Sequence, residues 1–460
     1  MKLLAKALVV ILPLLVAYVY MSSNDSNYTG LITLCLLLLS MGFAFIMDKP
    51  LGCILFLMVA LHWFQMDGMI LTLYFVPVAV VAFMLYALNR HELGFDRTMA
   101  LMSAIILGHM GLVIVTKPFN IEYIFFYINA VCFLFFLGSS MLHWDSRKVQ
   151  TLLSAHLAFM IVWGLIERLV MGDERIMGPA LSSTNYAVML VVEWTIWLIN
   201  GFLVLKFRKA TLGIVTFLVL LVVLFSGTRM GILGMGLCGL LAIVCRLFLL
   251  YEKQVVRFLF YFVISSVALA CLAFVVWQLL PDDLFLKQGM TTFLSGKLDL
   301  SSLGRIGAWV TALDIIHTDP VWGIGPGNFL ERNTMLLDSY AMIPIVEIIP
   351  RLGHAHNVFL LVLSEQGLVG FAVLSSLCLT GLYFLLRFIK RTKSGFGLAL
   401  LCGGIVTLFL GMFDVFPLFP SSVVFGAWYM SVLFSLRDRR VLDSVEASVV
   451  EAAAVAGEGK

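Results

Sequence analysis

Long apolar segments recur along almost the whole chain, and they constrain the fold more than any other feature. Fourteen such segments lie between residues 7 and 436, and most approach the roughly 20 residues that an α-helix needs to cross a bilayer. Hydrophobic residues make up 62% of the 460 positions and charged residues only 12%, whereas soluble domains average about 45–50% and ~25%. The composition therefore excludes soluble enzymes, nucleic-acid-binding proteins and disordered chains.

These segments predict an all-α polytopic integral membrane protein with about 12–14 transmembrane helices and one long, partly helical loop. The first C-terminal segment is expected to break near Gly367. All eight cysteines lie inside apolar segments, which indicates packing residues rather than a disulfide framework. Four regions are expected, namely an N-terminal bundle of about eleven spans (1–280), a large periplasmic loop (281–356), C-terminal transmembrane helices (357–440) and a cytoplasmic tail (441–460).

The lysine and arginine residues predict how the chain is oriented. With the N-terminus inside, 21 of the 30 basic residues fall on the inner side and nine on the outer side. Cytoplasmic loops carry the excess of positive charge in membrane proteins, so both termini are expected in the cytoplasm. The orientation does not explain the nine outer residues, which are Lys117, Arg168, Arg175, Arg229, Lys287, Lys297, Arg305, Arg332 and Arg351.

Residues 281–356 form the one long polar stretch of the sequence. Loops beyond about 12–15 residues tend to be either functional or disordered. Here, a helical pattern over residues 305–317 and a glycine-rich turn over 323–328 indicate structure. Asn357 is a plausible N-cap for the helix that follows, which would place His356 at the membrane surface.

Four features of the outer face are candidates for chemistry. Arg229 follows Ser-Gly-Thr at the start of a predicted helix, and an arginine at a helix N-terminus favours anion binding. Arg305 and Trp309 are four residues apart and share a helix face. His356 can act as a general base near neutral pH. Arg175 lies in another outer loop, beside acidic residues that could pair with it. Each of these residues also has an ordinary explanation, such as capping or interfacial anchoring.

Together, the arginines and the histidine suit a substrate with a diphosphate headgroup and a nearby nucleophilic hydroxyl. Arginine binds phosphate bidentately, and a clamp of cations stabilises the charge on a departing phosphate. The sequence predicts no metal and no cofactor, because common metal-binding and nucleotide-binding motifs are missing from it. Glu193 lies deep in an apolar segment, which leaves open a transporter or flippase with an ion pathway.

The motifs of the outer face resemble those of the bacterial O-antigen ligase and O-antigen polymerase family. An upstream stretch from Arg175 to Asn185 is similar to a weaker family element, with Ser-Ser-Thr-Asn where Asn-Pro-Asn is common. The resemblance covers roughly residues 175–370. It rests on Ser226-Gly-Thr-Arg229, Arg305-Ile-Gly-Ala-Trp309, the run from Asp319 to Phe329, and the H-N-x9-G-x-x-G pattern from His356 to Gly370.

The resemblance implies a GT-C-like, metal-independent, inverting glycosyltransferase in the bacterial inner membrane. Its active face would be periplasmic, and its donor would be a glycan linked to undecaprenyl diphosphate. Arg229 and Arg305 would hold the diphosphate, and His356 would be the base for the acceptor hydroxyl. Further contacts with substrate are expected from Arg175, Trp309 and Asn357.

The acceptor divides the family into two activities. A polymerase adds O-antigen or exopolysaccharide repeat units to one another, whereas a ligase transfers the glycan to lipid A–core. The fourteen segments exceed the usual ligase layout and slightly favour a polymerase. Membrane lipids, a flippase and a chain-length regulator are expected partners, and nucleic acid is not.

Overall fold

The computed structural model describes the chain from residue 97 to residue 436, with gaps. The described residues are 97–117, 144–169, 175–176, 182–251, isolated positions between 254 and 278, 300–340, 342, 346, 348–414, 416 and 423–436. The spans expected before residue 97 and over residues 123–142, the first part of the large loop (281–299) and the predicted tail therefore lie outside the described residues.

The described residues form helices joined by turns and contain no strand, which confirms the all-α fold. Most of these helices lie in apolar segments of the sequence. Their bounds are α1 (Arg97–Thr116), α2 (Ser146–Leu169), α3 (Ser183–Leu203), α4 (Lys209–Ser226), α5 (Arg229–Tyr251), α6 (Leu300–Thr318), α7 (Phe329–Ser339), α8 (Val358–Thr392), α9 (Gly395–Gly411) and α10 (Val423–Ser435).

Four of these helices are long and apolar enough to cross a membrane, namely α2, α3, α5 and α8. Helices α1, α4 and α9 contain shorter apolar stretches of 10–17 residues. A helix rises about 1.5 Å per residue, so the 21 residues of α3 match the thickness of a hydrocarbon core. The protein is a polytopic membrane protein, as predicted, while the total of 12–14 spans stays a prediction.

Helix α3 lies at the centre of the bundle. It packs against α2, α4, α5 and α9, and its side chains from Tyr186 to Trp197 are buried on every face of the helix. A helix that is apolar all round belongs in the interior of a bundle. Small residues on the neighbouring helices permit the close packing, since a Cβ at Gly403 of α9 would overlap the Ile196 side chain.

A polar seam joins α2 to α3 within this apolar core. The Nδ1 atom of His156 lies 2.7 Å from a carboxylate oxygen of Glu193, and both side chains are fully buried. Nearer the start of α2, the Asn200 amide donates to the Gln150 side chain at 2.8 Å. Glu193 is therefore an interhelical partner of His156, and the seam fixes the pairing of the two helices.

Helices α6 and α7 form a smaller unit that packs against α8. The Thr311 hydroxyl of α6 donates to the Asn333 side chain of α7 at 2.8 Å, and Phe329 is buried between them with Ala308 and Ala312. Helix α8 is interrupted at Gly367, which has φ 65° and ψ −168°, so the predicted break is confirmed. We call α6, the turn over residues 319–328 and α7 the loop unit.

Candidate functional site

The turn between α4 and α5 places Arg229 at a helix N-terminus. Gly227 ends α4 in a left-handed conformation with φ 66°, as is common for a C-terminal glycine. The Thr228 hydroxyl donates to the Ser183 carbonyl oxygen at 3.2 Å and so ties the turn to the start of α3. Arg229 follows as the first residue of α5, where the positive end of the helix adds to its own charge.

Arg175 docks on the same turn from a different part of the chain. Its Nε donates to the Ser226 carbonyl oxygen at 2.7 Å, and the next residue, Ile176, donates its N–H to Phe225 at 3.2 Å. Burial lowers the pKa of Arg175, and the positive charges of Arg229 and Arg305 lower this pKa further. The three arginines expected at the site therefore lie within electrostatic reach of one another, a concentration of positive charge that attracts polyanions.

Helix α6 brings Arg305 and Trp309 to the site on one face. Both side chains are half-buried. The indole Nε1 of Trp309 is buried and has no hydrogen-bond partner among the described residues. Buried donors are nearly always satisfied in folded proteins, so this N–H is an exception four residues from Arg305.

His356 has an unusual backbone conformation, with φ 45°. Few residues other than glycine adopt this left-handed region, although histidine is among the more tolerant types. The His356 N–H donates to Nδ1 of His354 at 3.3 Å, which helps to hold the conformation. Its own Nδ1 lies 3.5 Å from a carboxylate oxygen of Asp414, whose side chain is 2% exposed. Strained backbone of this kind often occurs at functional sites.

Asn357 places His356 by fixing the start of α8. Its side-chain oxygen accepts from the N–H groups of Phe359 and Leu360, which confirms the predicted N-cap. Its amide donates to the Met412 carbonyl oxygen at 2.9 Å, so the segment that carries Asp414 is held against the start of α8. The side chain expected to contact substrate is thus used to join two elements of the protein.

His354 connects the two halves of the site. Burial lowers its pKa to about 4, the positive charges of His356 and Arg305 act in the same direction, and Asp414 opposes them. The charges of Arg305, His356 and Asp414 all act on the imidazole of His354. The cluster of arginines and the pair of His356 and Asp414 are therefore neighbours. At neutral pH, His354 is uncharged and can accept the hydrogen bond from His356.

The same histidines and Asp414 could in principle bind a metal ion. His354, His356 and Asp414 each offer one ligand atom, and these atoms lie within 4.8 Å of one another. Two imidazoles and a carboxylate suit zinc, but the positive charge of Arg305, which is felt at His354, opposes a further cation. The expectation that the site holds no metal stays a prediction.

Other basic residues of the outer side are engaged elsewhere. Lys117 pairs with Asp319 at 2.7 Å. Arg332 of α7 pairs with Asp314 at 2.9 Å, and Arg351, which follows the loop unit, pairs with Asp338 at 2.9 Å. No role for Asp414 follows from the sequence alone, although an acid directly after an apolar segment is a signal of a functional site. Only the fold shows that this carboxylate faces His356.

The fold and the site together define a polytopic, all-α membrane protein with a cationic cluster beside a histidine–aspartate pair. Residues 214–375 match the family model described as O-antigen ligase, a region that runs from α4 through the broken part of α8. This match agrees with the family resemblance that the motifs indicated. No curated protein matches the chain. Members of this family are glycosyltransferase-like enzymes.

Proposed function

We propose that this protein transfers a glycan from a polyprenyl-diphosphate-linked donor, undecaprenyl diphosphate in bacteria, to a hydroxyl group of a saccharide acceptor. The observation that carries the proposal is the convergence of Arg175, Arg229 and Arg305 beside the pair of His356 and Asp414. The arginines supply positive charge for a diphosphate, and the imidazole supplies a base. The family match supports transfer of this type.

The proposed reaction needs only these side chains. His356 accepts the proton of the acceptor hydroxyl, and the hydroxyl oxygen forms a bond to the anomeric carbon of the donor. The bond from that carbon to the phosphate oxygen breaks, and the lipid diphosphate leaves with the electron pair. The arginines stabilise the charge that develops on the leaving group, and Asp414 stabilises and orients the imidazolium, as a carboxylate does for other catalytic histidines. Attack opposite the leaving group inverts the anomeric configuration.

Replacing His356 tests the base. His356→Ala should bind the lipid-linked donor normally but form the glycosidic bond about 10²–10⁴-fold more slowly, since that is the usual contribution of general base catalysis. Donor binding and single-turnover product formation are measured on purified protein in lipid nanodiscs. His317→Ala is the matched control, because His317 is an exposed histidine on α6. Normal turnover by His356→Ala would remove His356 as the base.

The arginines are tested in the same assay. Arg229→Ala and Arg305→Ala should raise the donor KM or abolish turnover, because the diphosphate loses a charge-assisted contact in each variant. Arg351→Ala serves as the control, since Arg351 pairs with Asp338 at 2.9 Å. Wild-type donor kinetics in both test variants would contradict the diphosphate clamp.

The identity of the acceptor decides between polymerase and ligase. We favour the polymerase slightly, on the number of apolar segments in the sequence, and the ligase is the alternative. Gel analysis of surface glycan from a deletion strain separates them. Loss of a polymerase leaves single repeat units attached to the acceptor, and loss of a ligase leaves no glycan attached.

A further inference from the structure

The break in α8 is filled by the turn of the loop unit. The carbonyl oxygens of Ser364 and Glu365 accept from the N–H groups of Ile324 and Gly325 at 3.0 and 2.9 Å. Beyond the break, the N–H groups of Leu368 and Val369 donate to carbonyl oxygens of the turn, at 2.9 and 3.3 Å. Backbone groups freed by a helix break within a membrane protein need protein partners, and the turn supplies them.

Two glycines permit this contact between main chains. A Cβ at Gly323 of the turn would overlap the backbone of Ser364 and Glu365, and a Cβ at Gly367 would overlap the backbone of Val321. Both glycines also have positive φ, at 67° and 65°. The turn and the broken helix are therefore complementary in shape as well as in hydrogen bonding.

The side chain of Glu365 extends the contact to α7. The carboxyl group accepts from the backbone N–H groups of Gly327 and Phe329, and Phe329 is the first residue of α7. Asn328, which occupies the N-cap position, makes no capping hydrogen bond, because its amide donates back to Ile324 and Gly325. The N-terminal N–H groups of a helix need acceptors, and Glu365 provides one from a different helix.

Glu365 is buried within this contact. Its side chain is 2% exposed, and its second oxygen, Oε1, is buried without a hydrogen-bond partner among the described residues. A buried carboxyl group is costly unless it is well bonded, so Glu365 would be a poor choice for packing alone. Its position instead couples the loop unit, which carries Arg305, to the helix that begins just after His356.

We propose that Glu365 is a positioning residue for the transfer reaction, which fixes the distance between Arg305 and His356 by capping α7 from α8. The proposal rests on the proposed function. Diphosphate and acceptor must be held in register for attack on the anomeric carbon, and a shift of about 1 Å in such a geometry can cost about 10²-fold in rate.

Three variants test the proposal. Glu365→Gln keeps an acceptor oxygen at the same place, whereas Glu365→Leu removes it at similar volume. Glu331→Leu is the matched control, because Glu331 is an exposed acid in the first turn of α7. Two measurements are made on the full chain in nanodiscs, namely amide hydrogen exchange of peptides covering residues 325–333 and steady-state kinetics of glycan transfer.

The expected results separate positioning from general destabilisation. Glu365→Leu should speed exchange in this peptide and lower kcat by about tenfold to a hundredfold, with little change in the donor KM. Glu365→Gln should restore both properties to near wild type, and the Glu331 variant should match wild type. Unchanged exchange in Glu365→Leu would overturn the cap. Faster exchange with unchanged kcat, in a wild type that transfers glycan, would overturn the positioning role.

Failure of the proposed function would look different. If the wild-type protein transfers no glycan, the reaction proposed above is wrong, and the positioning role falls with it. The exchange measurement would still show whether Glu365 caps α7. If the wild type transfers glycan but its exchange in this peptide equals that of Glu365→Leu, then Glu365 does not cap α7. The proposed transfer reaction would still stand.

Discussion

At the scale of single residues, the site depends on unusual surroundings of ordinary side chains. His356 is held in a left-handed backbone conformation by a hydrogen bond to His354 and lies beside the buried carboxylate of Asp414. The first contact fixes the backbone that carries the imidazole, and the second places a carboxylate on its Nδ1 side. Preorganisation of this kind lowers the reorganisation needed during the reaction.

His354 should make the stability of the protein depend on pH. Its pKa is about 4 in the folded protein and near 6.5 in an unfolded chain, so the unfolded state binds more protons between these values. Stability is therefore fully present above about pH 6.5 and is lost as the pH falls towards 4, by up to about 1.4 kcal/mol per pH unit. Thermal unfolding in detergent between pH 4.5 and 7.5 should show this fall.

The His354→Gln variant isolates the effect. Its unfolding temperature should vary less with pH over the same range, because the buried titrating group has been removed. His317→Gln, on the exposed side of α6, should keep the wild-type dependence. An equal slope in wild type and His354→Gln would show that other groups control stability in this range.

At the scale of elements, the broken helix α8 is the main organising feature. Its first part starts at the Asn357 cap beside the site, and its second part continues after Gly367 as a long apolar helix. The break lets backbone groups of α8 bind the turn of the loop unit. One helix therefore connects the membrane bundle to the part of the loop that carries Arg305.

Gly367→Ala should disrupt this junction. The added Cβ meets the backbone of Val321 and the position needs a positive φ, so we expect a loss of about 1–3 kcal/mol or more and a large fall in activity. The thermal midpoint and glycan transfer are the measurements. Gly236→Ala in α5 is the control, since nothing lies within 4 Å of its Cβ and alanine is the better helix former. Equal stability of the two variants would contradict the proposed close contact.

At the scale of the whole molecule, the core is apolar apart from a few buried polar contacts. The pair of His156 and Glu193 is the clearest of these among the described residues, with 0% exposure on both sides. Removing one partner of a buried pair leaves an uncompensated polar group, whereas replacing both with apolar residues is often neutral. This difference separates a structural pair from an ion pathway.

Glu193→Leu alone should lower stability by about 3–5 kcal/mol, and the double variant His156→Leu with Glu193→Leu should recover most of that loss. Thermal unfolding of the wild type, both single variants and the double variant forms a complete cycle. The double variant should also keep glycan transfer. A stable double variant without transfer would instead show that this pair contributes to the reaction and not to packing alone.

Much of this architecture can be predicted from the sequence, for identifiable reasons. The helices follow from long apolar runs, the break from a glycine, and the cap from an asparagine before an apolar segment. The outer arginines can be identified as candidate site residues because the orientation rule does not explain their positions. Asp414 and Glu365 could not be assigned in this way, because their roles depend on contacts with segments far away in the sequence, namely His356 and the N-terminus of α7.

The contact between His356 and Asp414 also has a consequence for biosynthesis. The site draws on an arginine that precedes α3, on the loop unit, and on a carboxylate that follows α9. A nascent chain inserted from its N-terminus cannot complete this set until α9 has entered the membrane. Partly made protein would therefore lack the complete set of side chains that the proposed reaction needs.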